Sequence, residues 1–386
     1  MNNGYGFCKI VNALIAYILF FTSVAICTFD QLTMPQKKIV TIGSSMPITG
    51  QLDTFALSMY EGIFAALYSF NNASSSNVPY IREYILDDMY IPYRTYANVQ
   101  FFESKNIHTL LMPLGTVNIE SYLPDIKAGK LLVLFPIMEG RYPDIKNLIH
   151  YRASYAEEAR ALVNYIAEKT YFKQCVIFYQ NDNFGIGPRD SAHIVLKKKN
   201  ITWIDVPYDR SELTFAAAAE KIKKINPDVI AFFCLPNAAF GLIKKLQPHT
   251  LANKKFFGLS DLLVGGFAQY AYTIGLDFTF AAITPNPEMS DLQIAQEYRL
   301  AMQNHAFKLD MISFEGFIIT QLFLEAFKAA HYSLDIEKII KYFENIHNVS
   351  FKGLPLSFSK DRSLSKAVWI TEGPRVDWKP YAIIDK

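Results

Sequence analysis

From Ile39 onward, short runs rich in β-branched and aromatic residues alternate with amphipathic stretches, and the alternation starts afresh after Arg152. Strands are predicted at 39–43, 84–86, 110–114 and 131–135, with helices at 57–70, 96–103 and 119–128 between them. The second series predicts helices at 157–169, 189–198 and 215–224 around strands at 175–179, 201–206 and 229–233. Repeated strand–helix units of this length build parallel sheets covered on both faces. The chain has 386 residues, and single cores stop growing near about 250–300, so the two series read as two lobes. The expected fold class is α/β, with two doubly wound parallel-sheet lobes.

The first 27 residues differ from the rest. A single Lys9 precedes an apolar stretch at 10–21 broken only by Asn12, and small residues follow at Ser23 and Ala25. This is the pattern of a secretory signal peptide, and it predicts an exported, periplasmic protein that is soluble once processed. Cleavage after Ala25 fits the small-x-small rule. Val24-Ala25-Ile26-Cys27 offers the competing reading of a lipid anchor on Cys27, with Ile26 where such a motif wants Gly, Ala or Ser. Cys175 and Cys234 lie at opposite ends of apolar runs, too far apart for the roughly 5.5 Å Cα separation of a disulfide, so two buried thiols are expected.

Formal net charge is +2, and the longest basic run is Lys197-Lys198-Lys199, which reads as a solvated helix end. Nucleic-acid binding needs basic residues gathered on one face, and none is expected here.

In doubly wound sheets, ligands sit beyond the carboxyl ends of the strands, where the winding reverses. The loops there include 44–50, Asp87-Asp88, 115–118, 136–140, 180–185 and Ser260-Asp261. They are rich in hydroxyls, amides and small residues, which hold a small polar molecule without reacting with it.

At these loops the chain resembles the type I periplasmic solute-binding proteins of ABC importers, in the branch related to the leucine/isoleucine/valine-binding protein. Pro47-Ile48-Thr49-Gly50 followed by Gly62 is similar to the family's opening loop and first helix, and Asp87-Asp88 with Pro92 to its second-strand segment. The blocks 152–159, beginning Arg152-Ala153-Ser154-Tyr155, and 178–185, ending Asn183-Phe184-Gly185, are close to those of one subfamily. Ser313-Phe314-Glu315-Gly316-Phe317, and the tail from Gly353 through Phe358-Ser359 to Val368-Trp369-Ile370, match its late helix and final strands. The similarity runs from about Ile39 to Ile370. It implies a three-strand hinge with crossings near Ser154, Pro285 and Lys352. Lobe one would be 38–154 plus 286–352, and lobe two 155–285 plus 353–386.

The resemblance also implies a ligand set. Thr116 falls on the first hydroxyl position that grips a ligand carboxylate, and Ile137, Met138 and Glu139 on the second loop. Glu139 stands where amino-acid binders carry Thr. Facing a ligand carboxylate at 4 Å, it would cost about 4 kcal/mol in a surface-like dielectric. It is therefore expected to meet a cationic ligand group or to pair with Arg141. Phe55 and Phe184 correspond to the aromatic walls, or else pack the lobes, and Pro236 stands where another Tyr is expected. Asp261 matches the acid that meets a ligand ammonium, with Ser260 as the neighbouring choice and helix capping before Leu262 as the alternative.

No H-E-x-x-H, G-x-S-x-G or G-x-x-x-x-G-K-[ST] pattern occurs, so an enzyme is not expected. Adjacent residues at a strand end point in opposite directions, so Asp87-Asp88 is a poor catalytic pair. The expected partners are one small-molecule ligand and an ABC importer permease, with the protein a monomer and no cofactor or metal. The alternative is a periplasmic sensor presenting its ligand to a signalling receptor.

Overall fold

The computed structural model describes residues 37–372 and the backbone of strand Lys379–Tyr381. The signal-peptide expectation and Cys27 lie outside the described residues.

The first half runs β1 (Ile39–Met46), α1 (Asp53–Ala73), β2 (Tyr80–Asp87), α2 (Pro92–Ser104), β3 (Thr109–Leu111), α3 (Thr116–Glu120), α4 (Leu123–Lys127), β4 (Leu132–Leu134) and β5 (Leu148–Ile149). These strands form a parallel sheet in the order β2-β1-β3-β4-β5. The second half runs α5 (Tyr155–Lys169), β6 (Gln174–Gln180), α6 (Asn183–Lys198), β7 (Thr202–Tyr208), α7 (Ala216–Ile225), β8 (Val229–Phe233), α8 (Pro236–Lys245), α9 (Pro248–Leu251), β9 (Lys255–Gly258), α10 (Phe267–Thr273) and β10 (Asp277–Ala282). The chain then adds α11 (Gln293–Gln303), α12 (Met311–Ala329) and α13 (Ile336–Glu344), the hairpin β11 (Val349–Phe351) and β12 (Leu354–Leu356), and strands β13 (Val368–Thr371) and β14 (Lys379–Tyr381). The larger sheet has the order β14-β13-β10-β9-β8-β6-β7, parallel from β10 to β7 and antiparallel at β13 and β14.

Local chemistry explains the helix limits. Ser154 and Glu157 form a capping box that starts α5, Asp182 accepts from the Phe184 N–H at the start of α6, and Asp310 with Ser313 closes a second box before α12. The single helix expected at 119–128 is two short ones. Pro124 has no N–H and disfavours helical backbone in Leu123, so it fits only the first turn of a new helix. Helix α6 starts six residues before the expected Arg189, because Gly185 lets the backbone close on Gln180; a Cβ there would lie 2.2 Å from the Gln180 carbonyl oxygen.

Helix α12 is apolar nearly all round and is buried against α1. The two axes approach so closely at Gly62 that a Cβ there would sit 1.9 Å from the Ser313 carbonyl oxygen. Lobe two has its own aromatic core, with Phe178, Phe232, Phe256, Phe267, Phe278 and Phe280 in mutual ring contact. Cys175 and Cys234 are buried free thiols.

The chain passes from the smaller sheet to the larger after β5, and after β10 it returns to lobe one, where α11 and α12 pack on α1. The third crossing differs from the expectation at Lys352. Lys352 and Gly353 have positive φ and make the turn between β11 and β12, and Ser363 still pairs with His150 beside the smaller sheet. The larger sheet is reached only at Val368. A Lys-Gly pair supports a hairpin turn, at the place where the resemblance implied a crossing between lobes.

Candidate functional site

Both windings reverse one strand in from a sheet edge: β1 is flanked by β2 and β3, and β6 by β7 and β8. The loops beyond those strand ends face each other, and between them lies a closed cavity. It is lined by Leu52, Phe55, Tyr90, Leu114, Gly115 and Thr116 with Ile137 from lobe one, and by Tyr155, Phe184, Leu235 and Asp261 from lobe two. The free space is about 10 Å³, roughly what one water requires. A ligand of amino-acid size therefore needs the lobes to part, and hinge bending is the motion such a two-lobed chain allows.

Two adjacent loops build the lobe-one wall. Leu114 pairs with Ile137 as parallel neighbours, and the Gly115 N–H donates to the Ile137 carbonyl at 3.0 Å. The Thr116 hydroxyl accepts from the Glu139 N–H at 3.0 Å, which leaves its own proton to donate. Gly115 adopts φ +107°, and a Cβ on it would meet the Tyr90 ring at 2.7 Å. Tyr90 is itself placed by the acidic pair. Asp88 is fully buried and accepts from Ser45 Oγ, Thr95 Oγ1 and the Tyr90 N–H, while Asp87 holds Thr49. The pair thus shapes the loop, with Met89 and Tyr90 both at positive φ.

The lobe-two wall centres on Asp261. Its carboxylate is buried and accepts from the Tyr155 hydroxyl at 3.0 Å to each oxygen, and the Phe184 ring stands edge-on to Tyr155 at 4.9 Å. Asp261 makes no capping bond in the 3₁₀ turn Ser260–Leu263, so the capping alternative does not describe it. Beside it Arg152 binds Glu158 at 2.7 Å and reaches Glu315 of α12 at 3.5 Å, with Ser260 Oγ accepting from the same guanidinium. Glu158 and Glu315 thus share one guanidinium, with the Asp261 carboxylate close by on Tyr155. Burial pushes Asp261 up to about 7, opposed by Arg152 and reinforced by Glu158. Burial likewise pushes Glu315 up to about 7 against the pull of Arg152.

Five of the expected residues, Phe55, Thr116, Ile137, Phe184 and Asp261, come together on the cavity, and two do not. Met138 points the other way, into the cluster around Val99, Phe102 and Tyr122. Glu139 turns toward α5, where its carboxylate accepts from the Ala156 N–H at 3.1 Å and packs against Gly187. Burial pushes it up to about 8. Its partner is a helix N-terminus, not Arg141, whose guanidinium lies 3.7 Å from Asp361 and donates to backbone carbonyls and toward His150. The expected repulsion of a ligand carboxylate by Glu139 therefore has no geometric basis.

Sequence reading missed Leu52, Tyr90, Leu114, Gly115, Tyr155 and Leu235. Gly115 and Tyr155 lay inside quoted loops and blocks, so position was a usable signal; nothing local marked Tyr90.

The closed lobes are bridged at the rim by Arg210 of lobe two. Its guanidinium stacks 3.8 Å from the Tyr90 ring centroid, donates to Asn118 Oδ1 at 2.8 Å, and donates to the Tyr90 carbonyl. Asn183 with Glu120 and Asn237 with Gln51 add two further cross-lobe bonds.

Known proteins repeat this architecture. A possible leucine/isoleucine/valine-binding protein from Rhodopirellula baltica superposes with TM-score 0.77 at 21% identity, covering 90% of this chain and 97% of that one. A leucine-binding protein from Thermotoga maritima gives 0.78 at 14% identity, with 90% and 100% covered. An ABC transporter solute-binding protein from R. palustris, in complex with 4-hydroxybenzoate, gives 0.78 at 14%, also with 90% and 100% covered. No curated protein matches by sequence. The profile of the periplasmic binding proteins matches residues 39–375, and the chain belongs to that family.

Proposed function

We propose that the protein is an extracytoplasmic solute-binding protein that captures a small amine-bearing ligand, an amino acid or a related amine or amide, and delivers it to an ABC importer. One observation carries this reading: a buried carboxylate, Asp261, faces an otherwise largely apolar cavity within a cluster that has fewer cations than carboxylates. A ligand ammonium would supply the missing charge. Phe55, Phe184, Leu52, Leu235 and Ile137 would cover an apolar body, and the Thr116 hydroxyl is placed to donate to a polar group at the opposite wall. Nothing in this arrangement activates a nucleophile or moves a proton to a reacting atom.

The test is mass spectrometry of the compound released when the purified protein is denatured, followed by thermal shifts with amino acids, amides, polyamines and simple carboxylates. Amine-bearing compounds should stabilise the fold, by about 2.7 kcal/mol at about 100 times the dissociation constant. Release of, or stabilisation by, carboxylic acids without an amine alone would overturn the amine reading.

A further inference from the structure

On the outer face of lobe one, away from the cleft, α1 and the edge strand β2 enclose a groove of about 490 Å³. Tyr60, Phe64 and Tyr68 stand on it one turn apart along α1, with ring centroids 5.8 and 5.7 Å apart, and Tyr80 lines it from β2. Glu83 enters the same groove, and its Oε1 is fully covered with no hydrogen-bond partner. A covered carboxylate oxygen without a donor is costly, and burial pushes Glu83 up to about 8. Two cations line the groove wall and neither serves it; Lys37 donates to the Asn71 and Ser74 carbonyls at the end of α1. Arg82, the preceding residue on the strand, is the second of these cations; it is solvent-exposed and makes no ion pair with Glu83 among the described residues.

Aromatic faces and a carboxylate converging on one concavity are complementary to a single kind of ligand group, a cation with an apolar surface. Ring quadrupoles attract it, and the carboxylate neutralises it. We propose that this groove is a second binding site, separate from the cleft, for a small organic ammonium ion that sets its cationic head against Glu83 and its carbon atoms against Tyr60, Phe64 and Tyr68. The site is fixed within lobe one, so occupancy does not require the lobes to close.

The experiment titrates tetramethylammonium and n-butylammonium, at constant ionic strength, into the full exported protein labelled with ¹³C on its tyrosine rings. Tyr60, Tyr68 and Tyr80 resonances are assigned by Tyr→Phe substitution. The expected result is saturable shifts of these resonances in the wild type. The same shifts should persist in Asp261→Asn, which disables the cleft, and weaken by about tenfold or more in Glu83→Gln. Phe64→Leu, which keeps the groove apolar but removes a ring, should weaken tetramethylammonium binding severalfold and serves if Glu83→Gln does not fold. Shifts that survive Glu83→Gln or vanish in Asp261→Asn would overturn the proposal. So would the absence of saturable shifts with both probes, which would leave the groove to a cationic side chain of a protein partner.

Discussion

Asp261 is the residue on which the chemistry of the cleft turns. Ammonium binding requires its carboxylate form, and with burial holding Asp261 up to about 7 that form appears only as pH rises through that value. Ligand affinity should therefore climb by up to about tenfold per unit below pH 7, level off above it, and become flat in Asp261→Asn; calorimetry at several pH values checks this. The empty protein should show the opposite trend in stability. Asp261 and Glu315 hold protons up to about 7 when folded but release them near 4 when unfolded, so the folded chain binds more protons in between. Its stability in urea should fall as pH rises from about 4 through 7, and Asp261→Asn should flatten that slope. Glu139→Gln should leave ligand choice unchanged and cost no more than about 1 kcal/mol at pH 7, since the side chain is already held largely protonated there. Thr116→Val should weaken ligand binding by about 0.5–1.5 kcal/mol by calorimetry, because it removes the donor facing the cavity. At this scale Thr116, Phe184 and Asp261 were reached through the resemblance of their loops to those of a known family, and all three line the cavity. Met138 misled because neighbouring residues in extended backbone face opposite ways, and Glu139 because its carboxylate is held by the Ala156 N–H of another element, which a list of loop residues does not show. Tyr90 was invisible for a different reason. Its place depends on two successive positive-φ residues held by the buried Asp88, a tertiary fact with no local signature.

At the level of elements, the contact between α1 and α12 is the tightest test of the packing. Gly62→Ala places a methyl against the backbone of the opposing helix, which has no flexible side chain to move aside. A loss of at least about 1–3 kcal/mol is expected by urea denaturation, with ligand affinity less affected than stability. The strand–helix alternation was legible because the buried parallel strands are continuous apolar runs of strand length and the helices carry one apolar face. Strands β9 and β10 were not separately delineated, since Phe256, Phe257, Phe278 and Phe280 merge into a generally aromatic stretch with no strict period. The hairpin β11–β12 and the late crossing were misjudged where turn chemistry, not hydrophobic pattern, decides the path.

For the whole molecule, the balance between open and closed lobes rests on a few cross-lobe contacts around a small apolar cavity. Arg210 makes the richest of them, and Arg210→Gln removes both the stacking on Tyr90 and the charge on the bonds to Asn118 and the Tyr90 carbonyl. The open population should increase, seen as a larger radius of gyration by X-ray scattering, and ligand affinity should drop by about threefold to tenfold with stability of each lobe retained.

The described chain begins in one lobe with β1 and finishes in the other with β13 and β14, and its two described thiols are buried in lobe two, Cys175 within β6 and Cys234 just after β8. Burial pushes both thiols well above their ordinary range, so neither Cys175 nor Cys234 competes for a maleimide at neutral pH. Tyr93 on lobe one and Ile194 on lobe two are strongly exposed. With Cys27 replaced by Ser, cysteines introduced at those two positions would carry a donor and an acceptor dye on opposite halves of the hinge, making the molecule a fluorescent gauge of its own closing stroke.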